Sequence, residues 1–478
     1  MPADAPLATI TIAGGGFAGW LAASLLARAL PDLAISLVEV PGPDRSLGVA
    51  AAADVLLPDD LPLLGEAGWN GPDLLRGGRA GFVLGTALSG WRADGATAFM
   101  PYGEIGAPLG PIPFHQLVST MRRRGQPVNM ANYALGALAA QAGRFAPPPP
   151  GDETVHAALT FGLSIDTARL AEMLRGDALE RGVRLAGTWH GEAVQRGDGG
   201  VQRLVLADGT SLAADLVIDA SGPASPLSGA RDDWSPWFPF DRVASARRTS
   251  EAPAPPYVHC DAHHAGWQSF APLADGVGEL FVFSSADAPG APAAEPFAPG
   301  CQQAAWTGNV VRIGGAAAQH DPVAGLQLHL ALADVLRLIA LFPAACEHPA
   351  EAAEYNRQWR EKTECAFDTA LLRLACSGAL GAVWDRLRAR ALPDRAAYRR
   401  DLYAANGRVV LHDGEVLEEA GWTALFDALC VQPRKGDALS DALPSAKITA
   451  HFAAIRQAMI AAVGRMPPYQ ALMAQVAA

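Results

Sequence analysis

The first 40 residues alternate between apolar runs and short polar or glycine-rich breaks. A β-branched run over residues 8–12 is followed by a glycine-rich turn. The apolar segment Trp20–Leu30 predicts a helix, and the run Ala34–Val40, after a Pro-Asp break, predicts a second strand. The pattern therefore predicts a strand, a helix and a parallel strand, which is the unit from which doubly wound α/β sheets are built.

Glycines stand at the junction between the first strand and the helix. They are spaced as Gly14-x-Gly16-x-x-Gly19, and Glu39 lies near the end of the second strand. In dinucleotide-binding turns the first glycine permits the tight turn, the second lets a pyrophosphate approach the backbone, and the third allows close helix packing. An acidic residue about 20 positions further on accepts hydrogen bonds from a ribose. This context predicts a dinucleotide site.

The middle of the chain carries a second segment of the same type. A helix is predicted over Asp166–Gly182, a strand over Val183–Gly187, and a hairpin around Asp198-Gly199-Gly200. The buried run Ala214–Gly222 then contains Asp219 and ends in glycine. We expect this run to return beside the first strand, so that the cofactor module is assembled from separated parts of the chain.

A third segment combines a strand, a glycine turn and a helix. Trp306–Ala317 predicts the strand and its turn at Gly314, and Leu326–Leu341 predicts an apolar helix after a Pro-containing loop. Its backbone N–H groups would face the ribityl chain and ring edge of a flavin, although ordinary strand-helix packing has the same pattern. From Glu351 onward the pattern is almost wholly helical.

Composition narrows the function classes. The chain has 478 residues, a net charge of −12 and six cysteines without a CxxC pair. The length predicts two or three structural units, the acidic charge argues against nucleic acid or an anionic membrane as partner, and the scattered cysteines favour reduced thiols. No apolar run reaches the roughly 18 residues of a membrane span, and no basic leader is evident, so we expect a cytoplasmic protein.

Two polar clusters invite a chemical role. The run His259–His264 contains metal-ligand types, but strand alternation would divide them between two faces, so we expect no metal there. His320 and Asp321 are the acid/base candidates, because they lie in the turn beside the expected flavin site. A capping aspartate and a surface histidine are the competing interpretation of this pair.

Together these segments resemble the flavin-dependent tryptophan halogenase family along essentially the whole chain. The resemblance is carried by four stretches: Gly14–Trp20 (GGGFAGW), Trp234–Arg242 (WSPWFPFDR), Trp306–Gly314 (WTGNVVRIG) and Glu354–Arg357 (EYNR). It implies an α/β flavoprotein of the FAD monooxygenase type, with two dinucleotide-binding segments, a substrate β-sheet and a helical C-terminal region. It also implies reduced FAD from a separate flavin reductase, an aromatic or apolar small-molecule substrate, and a homodimer as one possible assembly.

The resemblance also implies a division of the chain and a set of site residues. It assigns 1–88, 155–225 and 300–345 to the FAD module, 89–154 and 226–299 to the substrate sheet, and 346–478 to the helical region. Residues at the substrate are Val83, Trp267 and Phe270. Residues at FAD are Gly14, Gly16, Phe17, Ala18, Gly19, Glu39, Val49, Ala50, Asp219, Gly222, Gly314, Gly325 and Leu326.

Two single residues and two short stretches depart from the family pattern. Val83 replaces the lysine that guides hypohalous acid to the substrate, and Ala324 replaces a catalytic glutamate. The flavin strap Gly-Glu-Ala-Thr reads Ala50–Ala53, and the Trp-x-Trp-x-Ile-Pro signature is reduced to Trp267–Pro272. Valine cannot hydrogen-bond hypohalous acid. We therefore expect an FAD-dependent monooxygenase or oxidase that does not halogenate; the alternatives are a catalytically retired paralogue that acts as a binding or partner subunit, and a true halogenase with a rearranged site.

Overall fold

The computed structural model describes residues 7–77, 79–196, 200–250, 252–288, 294–346 and 348–477. The N-terminal residues 1–6, the predicted hairpin tip at Asp198 and Gly199, and residues 289–293 lie outside this range. The strands are β1 (Thr9–Ala13), β2 (Ala34–Glu39), β3 (Ala53–Leu56), β4 (Gly81–Val83), β5 (Gly85–Ser89), β6 (Ala98–Pro101), β7 (Gly162–Asp166), β8 (Arg184–Gln195), β9 (Val201–Leu206), β10 (Ser211–Ala213), β11 (Leu216–Asp219), β12 (Arg231–Asp233), β13 (Arg242–Thr249), β14 (Val258–His263), β15 (Gly266–Leu273), β16 (Gly276–Phe283), β17 (Glu295–Pro296), β18 (Gly300–Gln302), β19 (Trp306–Thr307), β20 (Val310–Arg312) and β21 (Ala318–Gln319).

The helices are α1 (Phe17–Ala29), α2 (Asp60–Glu66), α3 (Gly71–Gly77), α4 (Phe114–Arg123), α5 (Leu135–Gln141), α6 (Thr167–Glu180), α7 (Leu326–Ala340), α8 (Pro349–Ala375), α9 (Ala382–Ala389), α10 (Asp394–Asn406), α11 (Glu419–Ala428), α12 (Ala438–Asp441), α13 (Ser445–Arg465) and α14 (Tyr469–Ala477). Short 3-10 turns lie at Met130–Tyr133, Val155–Ala158 and Gly314–Ala316.

Two compact units share the chain. Unit 1 comprises Met1–Arg79, Ile165–Ala246 and Ala294–Phe367, and unit 2 comprises Ala80–Ser164, Arg247–Ala293 and Asp368–Ala478. Each unit is therefore discontinuous in sequence. The assignment of particular segments to cofactor and substrate roles remains a prediction.

An eight-stranded sheet organises unit 1, in the order β10-β9-β8-β2-β1-β11-β20-β19. Its central strands are parallel: Ile10 lies opposite Ile35 on one side and Leu216 on the other. The parallel pairing continues from β11 to β20, where Val217 lies opposite Val310. The prediction that the Asp219 strand returns beside the first strand is confirmed, and so is the mixed α/β fold.

Helices α6 and α7 both pack against α1 within unit 1. Eleven of the 13 residues of α1 are buried, as a helix that crosses between two central parallel strands requires. A cluster of buried apolar residues that includes Val38, Trp189 and Val217 lies along the same sheet. This core fixes the ends of β1 and β11, where the two glycine turns follow.

Unit 2 contains a mixed sheet, with antiparallel and parallel strand pairs, and most of the C-terminal helices. Strands β16, β15, β14, β5 and β6 are neighbours in that order, and β14 pairs parallel with β5. Phe114, Leu117, Ile448 and Phe452 belong to its helical core. In the described part of the chain no helix is both long and apolar enough to cross a membrane, and the six cysteines are free thiols.

Candidate functional site

The glycine turn between β1 and α1 has the geometry that its spacing predicts. Gly14 adopts φ +124° and its N–H donates to the Val38 carbonyl. A Cβ atom on Gly14 would lie 2.5 Å from the Ala220 oxygen, and one on Gly19 would lie 1.8 Å from the Gly14 oxygen. Both positions therefore exclude a side chain, and the absence of one at Gly19 lets α1 begin tightly against the end of β1.

A cavity of about 770 Å³ opens at this turn. That volume lies within the usual range of roughly 300–1,000 Å³ for small-molecule sites. Its walls come from four segments of unit 1: residues 14–16, 39–46, 188–191 and 220–226 without Gly222 and Ser225. Of the residues predicted at FAD, it includes Gly14, Gly16 and Glu39.

The charged groups of this cavity are few. Among the described lining residues, Glu39 and Asp44 are acidic and Arg45 is the single Arg or Lys. Glu39 ends β2 and lies 3.8 Å from an Arg175 guanidinium nitrogen, while Arg45 donates to Glu295 at 2.8 Å. A carboxylate at the end of the second strand is the group that binds a ribose in dinucleotide sites.

The segment after Glu39 reaches the first turn of α1. The N–H of Phe17 donates to a carboxylate oxygen of Asp44 at 2.7 Å, and the N–H of Ala18 donates to the Ser46 hydroxyl at 2.9 Å. Gly16 is the N-cap and supplies no side-chain hydrogen bond of its own. Asp44 and Ser46 therefore satisfy helix donors that would otherwise have no partner.

Asp219 has an internal role in the second glycine turn. It is fully buried and accepts hydrogen bonds from the hydroxyls of Ser221 and Ser225. Burial raises the pKa of its carboxyl group, and the serine hydrogen bonds partly oppose this. Asp219 does not line the cavity, so its carboxylate shapes the turn that carries Ala220 and Ser221 to the cavity wall.

Gly222 and Gly314 lie against the segment that contains Arg45 and Ser46. A Cβ atom on Gly222 would lie 2.9 Å from the Arg45 oxygen, and one on Gly314 would lie 2.5 Å from the Ser46 oxygen. Both glycines also have positive φ. They allow residues 45–48 to pass over the turns after β11 and β20.

The segment Val49–Ala53 follows directly. Val49 is buried and Ala50 is half-buried. Its backbone is held within unit 1, because the Ala51 carbonyl accepts from the Thr167 hydroxyl and the Ala52 N–H donates to Ser245. The alanines therefore occupy a defined path although their side chains offer no polar contact.

Helix α7 begins after Gly325, which adopts φ +86° and precedes Leu326. The Gly325 N–H donates to Asp54 at 2.7 Å. Burial raises the pKa of Asp54 to about 6. A carboxylate therefore caps this second helix as well, but in a buried setting.

His320 and Asp321, the predicted acid/base pair, are both fully buried. The surface position considered for the histidine is therefore wrong. The His320 ring lies 4.8 Å from the Trp234 ring, and within the described ranges neither ring nitrogen has a hydrogen-bond partner. Burial lowers the pKa of His320 to about 3, so the imidazole is neutral at physiological pH.

The three residues predicted at the substrate all belong to unit 2. Val83 ends β4 and is fully buried, as is Trp267, whereas Phe270 is half-buried. Trp267 and Phe270 are three residues apart on β15, so their side chains point to opposite faces of the sheet. The Arg373 guanidinium lies 4.5 Å from the Trp267 ring and 4.5 Å from the Trp91 ring.

The sequence did not indicate several of these residues. Asp44 and Ser46 cap a helix that lies 27 and 28 residues earlier in the chain, and Asp54 caps one that begins some 270 residues later. Only their residue types, which are those preferred at helix N-caps, could have suggested this role. No sequence pattern around Arg373 indicates its contacts with the two tryptophan rings.

Across the described residues, no group of three or more His, Cys, Asp or Glu side chains could hold a metal ion. His259, Asp261 and Cys260 instead alternate along β14, and Cys260 is buried. The remaining candidate chemistry in unit 1 is the cavity at α1 and the turn before α7.

Comparisons with known proteins agree on the family. The family model for tryptophan halogenases matches residues 9–445. Tryptophan 7-halogenase RebH of Lentzea aerocolonigenes is 25% identical over 394 residues, which cover 73% of this chain and 72% of that protein. Tryptophan 6-halogenase SttH of Streptomyces toxytricini is 24% identical over 85% of each chain.

Solved structures give the same result. BrvH, a flavin-dependent halogenase from Brevundimonas sp. BAL3, is 27% identical with a TM-score of 0.89, over 98% of this chain and 99% of that one. Xcc4156, a flavin-dependent halogenase from Xanthomonas campestris, is 26% identical with a TM-score of 0.91, over 98% of each chain. This chain therefore belongs to the tryptophan halogenase family.

Proposed function

We propose that this chain binds FAD, with the adenosine and pyrophosphate in the 770 Å³ cavity at the start of α1. This cavity is the observation that carries the proposal. Membership in a family of flavin-dependent halogenases implies FAD as the cofactor. The residues present fit that part of the group, because the glycine turn leaves the backbone uncovered by side chains and Glu39, in the cavity wall, could accept hydrogen bonds from ribose hydroxyls.

We further propose that the reaction is an oxygenation or oxidation without halogen transfer. Reduced FAD, when bound, supplies electrons for the activation of oxygen. Val83 offers only methyl groups at the position of the family's lysine, and Ala324 offers a methyl group at the position of its glutamate. Neither side chain can donate a proton or orient hypohalous acid. An aromatic or apolar small molecule is the proposed substrate, and a separate flavin reductase is the proposed partner.

His320 contributes to this proposal through its protonation state. An imidazole with a pKa near 3 is neutral at pH 7 and cannot serve as a cationic acid. It can still donate one hydrogen bond and accept another. His320 is fully buried and does not line the cavity at α1, so we propose that it does not transfer a proton to FAD bound there.

The test begins with flavin binding. The purified full-length chain is titrated with oxidised FAD by fluorescence and with reduced FAD by anaerobic absorbance, and a dissociation constant in the micromolar range is expected. Oxygen consumption is then followed with a flavin reductase and a panel of indoles, pyrroles and phenols. Hydroxylated or dehydrogenated product supports the proposal. No binding of either form would sink it and would favour a partner subunit without catalysis.

A true halogenase is the second candidate, favoured by the similarity to BrvH and Xcc4156 over nearly the whole chain. The same panel, supplied with bromide or chloride and read by mass spectrometry, separates the two. A halogenated product would replace the oxygenation proposal. Hydroxylated product in the presence of halide would support the oxygenation proposal.

A further inference from the structure

The first turn of α1 is already engaged by a carboxylate. Asp44 accepts the Phe17 N–H through one oxygen at 2.7 Å and the Ser46 N–H through the other at 2.9 Å. A Cβ atom on Gly16 would lie 2.1 Å from that second oxygen. The carboxylate thus lies over Gly16, at the point where the second glycine of such a turn allows a pyrophosphate to approach the backbone.

From this geometry we infer that Asp44 sets the affinity of the cofactor site, because its carboxylate holds the position at α1 that the pyrophosphate of FAD would take. FAD then binds by displacing Asp44 from the Phe17 N–H. The inference rests on the proposed FAD function and deepens it. It concerns one residue, and it predicts that this site binds FAD more weakly than its backbone would allow.

Displacement is feasible because Asp44 is exposed and its carboxylate is held by two backbone hydrogen bonds, one from Phe17 and one from Ser46. Both of its hydrogen bonds in the described structure are to backbone N–H groups. Asp44 follows the exposed stretch Pro41–Pro43. Gly42 in this stretch has φ +117°, and a Cβ atom added to it would have no neighbour within 4 Å. A side chain in this position can turn into solvent without moving a buried residue.

The negative charge of Asp44 also opposes a second anion. The cavity holds two carboxylates, Glu39 and Asp44. Arg175 lies 3.8 Å from Glu39 and Arg45 is paired with Glu295. A pyrophosphate that enters the cavity meets like charge within a few ångströms unless Asp44 leaves. Such repulsion is partly screened at an exposed site, so removal of one carboxylate is expected to change affinity by roughly tenfold.

Asp44 differs from an ordinary cap in a way that an experiment can resolve. Asn caps a helix about as well as Asp, and its one side-chain oxygen can accept from the Phe17 N–H. Asp44→Asn therefore keeps the helix cap and removes the charge together with the hydrogen bond from the Ser46 N–H. Asp32→Asn is the matched control, since Asp32 is an exposed carboxylate in the turn after the other end of α1. A purely structural role predicts no change in ligand affinity for either variant.

The experiment measures FAD, ADP and riboflavin binding to the full-length wild type, Asp44→Asn and Asp32→Asn at low and high salt. We expect Asp44→Asn to bind FAD and ADP about tenfold more tightly at low salt, with a smaller gap in 0.5 M KCl, where the Debye length falls to about 4 Å. Riboflavin, which has no phosphate, should bind all three proteins equally. Asp32→Asn should match the wild type.

The outcomes separate this inference from the proposed function. FAD binding by the wild type with equal or weaker binding by Asp44→Asn would overturn the inference alone. Binding by Asp44→Asn but not by the wild type would overturn the proposed function of the native chain and would support the inference that Asp44 blocks the site. No FAD or ADP binding by any of the three would overturn both. Asp44→Ser, which also retains a capping side chain, replaces Asp44→Asn if that variant fails to fold.

Discussion

Helices α1 and α7 of unit 1 both begin at a glycine, and both receive a carboxylate on a backbone N–H from the chain segment 44–54. Asp44 binds the Phe17 N–H and is exposed, whereas Asp54 binds the Gly325 N–H and is buried. Neither helix has an acidic residue in its own first turn. A carboxylate therefore accepts a backbone N–H at the start of both helices, at an exposed position for α1 and at a buried position for α7.

This difference shows that burial decides what a capping carboxylate does. In water the charge is solvated and the cap is exchangeable, so a ligand anion can replace Asp44. In the interior the charge is costly unless it is well hydrogen-bonded, and the raised pKa of Asp54 records that cost. The α1 end thus suits ligand binding, and the α7 end suits a fixed backbone.

The largest effect is expected from closing the α1 turn. Gly19→Ala places a Cβ atom 1.8 Å from the Gly14 oxygen, so the helix must shift away from the turn. We expect a loss of about 3 kcal/mol in the free energy of unfolding and a loss of FAD binding. Calorimetry and FAD titration measure the two quantities.

Gly65→Ala in α2 is the matched control, because its Cβ atom would meet nothing within 4 Å. It should leave FAD binding unchanged and raise stability by up to about 1 kcal/mol. Unchanged FAD affinity in Gly19→Ala would contradict the assignment of the cofactor to this turn.

Asp54→Asn should change how stability depends on pH. Between about pH 4 and pH 6 the folded chain retains a proton on Asp54 that the unfolded chain has released, so the free energy of unfolding falls as pH rises through this window. Asparagine removes that dependence. The stability of the variant minus that of the wild type should therefore rise by about 2 kcal/mol between pH 4.5 and pH 7.5.

Thermal unfolding of both proteins at the two pH values measures this change. Asp32→Asn removes an equal charge at an exposed position. Its stability difference from the wild type should be the same at both pH values. A difference for Asp54→Asn that does not depend on pH would show that the Asp54 carboxyl titrates as in the unfolded chain.

His320→Leu should show the opposite trend. The pKa of His320 is near 3 in the folded chain, so below about pH 6.5 the unfolded chain binds a proton that the folded chain does not. The free energy of unfolding of the wild type therefore falls as pH drops. The advantage of the leucine variant should grow by about 2 kcal/mol from pH 7.5 to pH 5; an advantage that shrinks over this range would place a proton on His320.

The smallest effect concerns the stability of the exposed cap. Asp44→Ala should lower the free energy of unfolding by about 1 kcal/mol, and Asp44→Asn should leave it nearly unchanged. Denaturant unfolding of the two variants beside the wild type measures both. A large loss in Asp44→Asn would mean that the carboxylate stabilises the fold strongly through its charge or its second hydrogen bond, which would contradict an exchangeable cap.

The sequence predicted the first helix and the central strands of unit 1 closely. The predicted helix Trp20–Leu30 and strand Ala34–Val40 correspond to α1 and β2 (Phe17–Ala29 and Ala34–Glu39), and the Asp219 strand pairs with β1 as expected. These features depend on hydrophobic periodicity and on glycine spacing, and both are local properties of a sequence. The helical region after Glu351 was predictable for the same reason.

The contacts of the polar side chains were harder to predict from the sequence. Asp44 and Asp54 act on helices that are distant in sequence, and no spacing rule connects such partners. The burial of His320 depends on Trp234, which comes from another segment. The opposite orientation of Trp267 and Phe270 follows from strand alternation once β15 is known to be regular. Tertiary contacts, rather than local pattern, therefore determine which polar groups remain available for chemistry.

The central claim is that FAD binds at the start of α1. Its most direct test is titration of the full-length wild type with oxidised and reduced FAD, with Gly19→Ala measured beside it. Saturable binding in the micromolar range by the wild type, lost in Gly19→Ala, is the predicted result. Absence of binding by the wild type, or equal binding by both proteins, would contradict the claim.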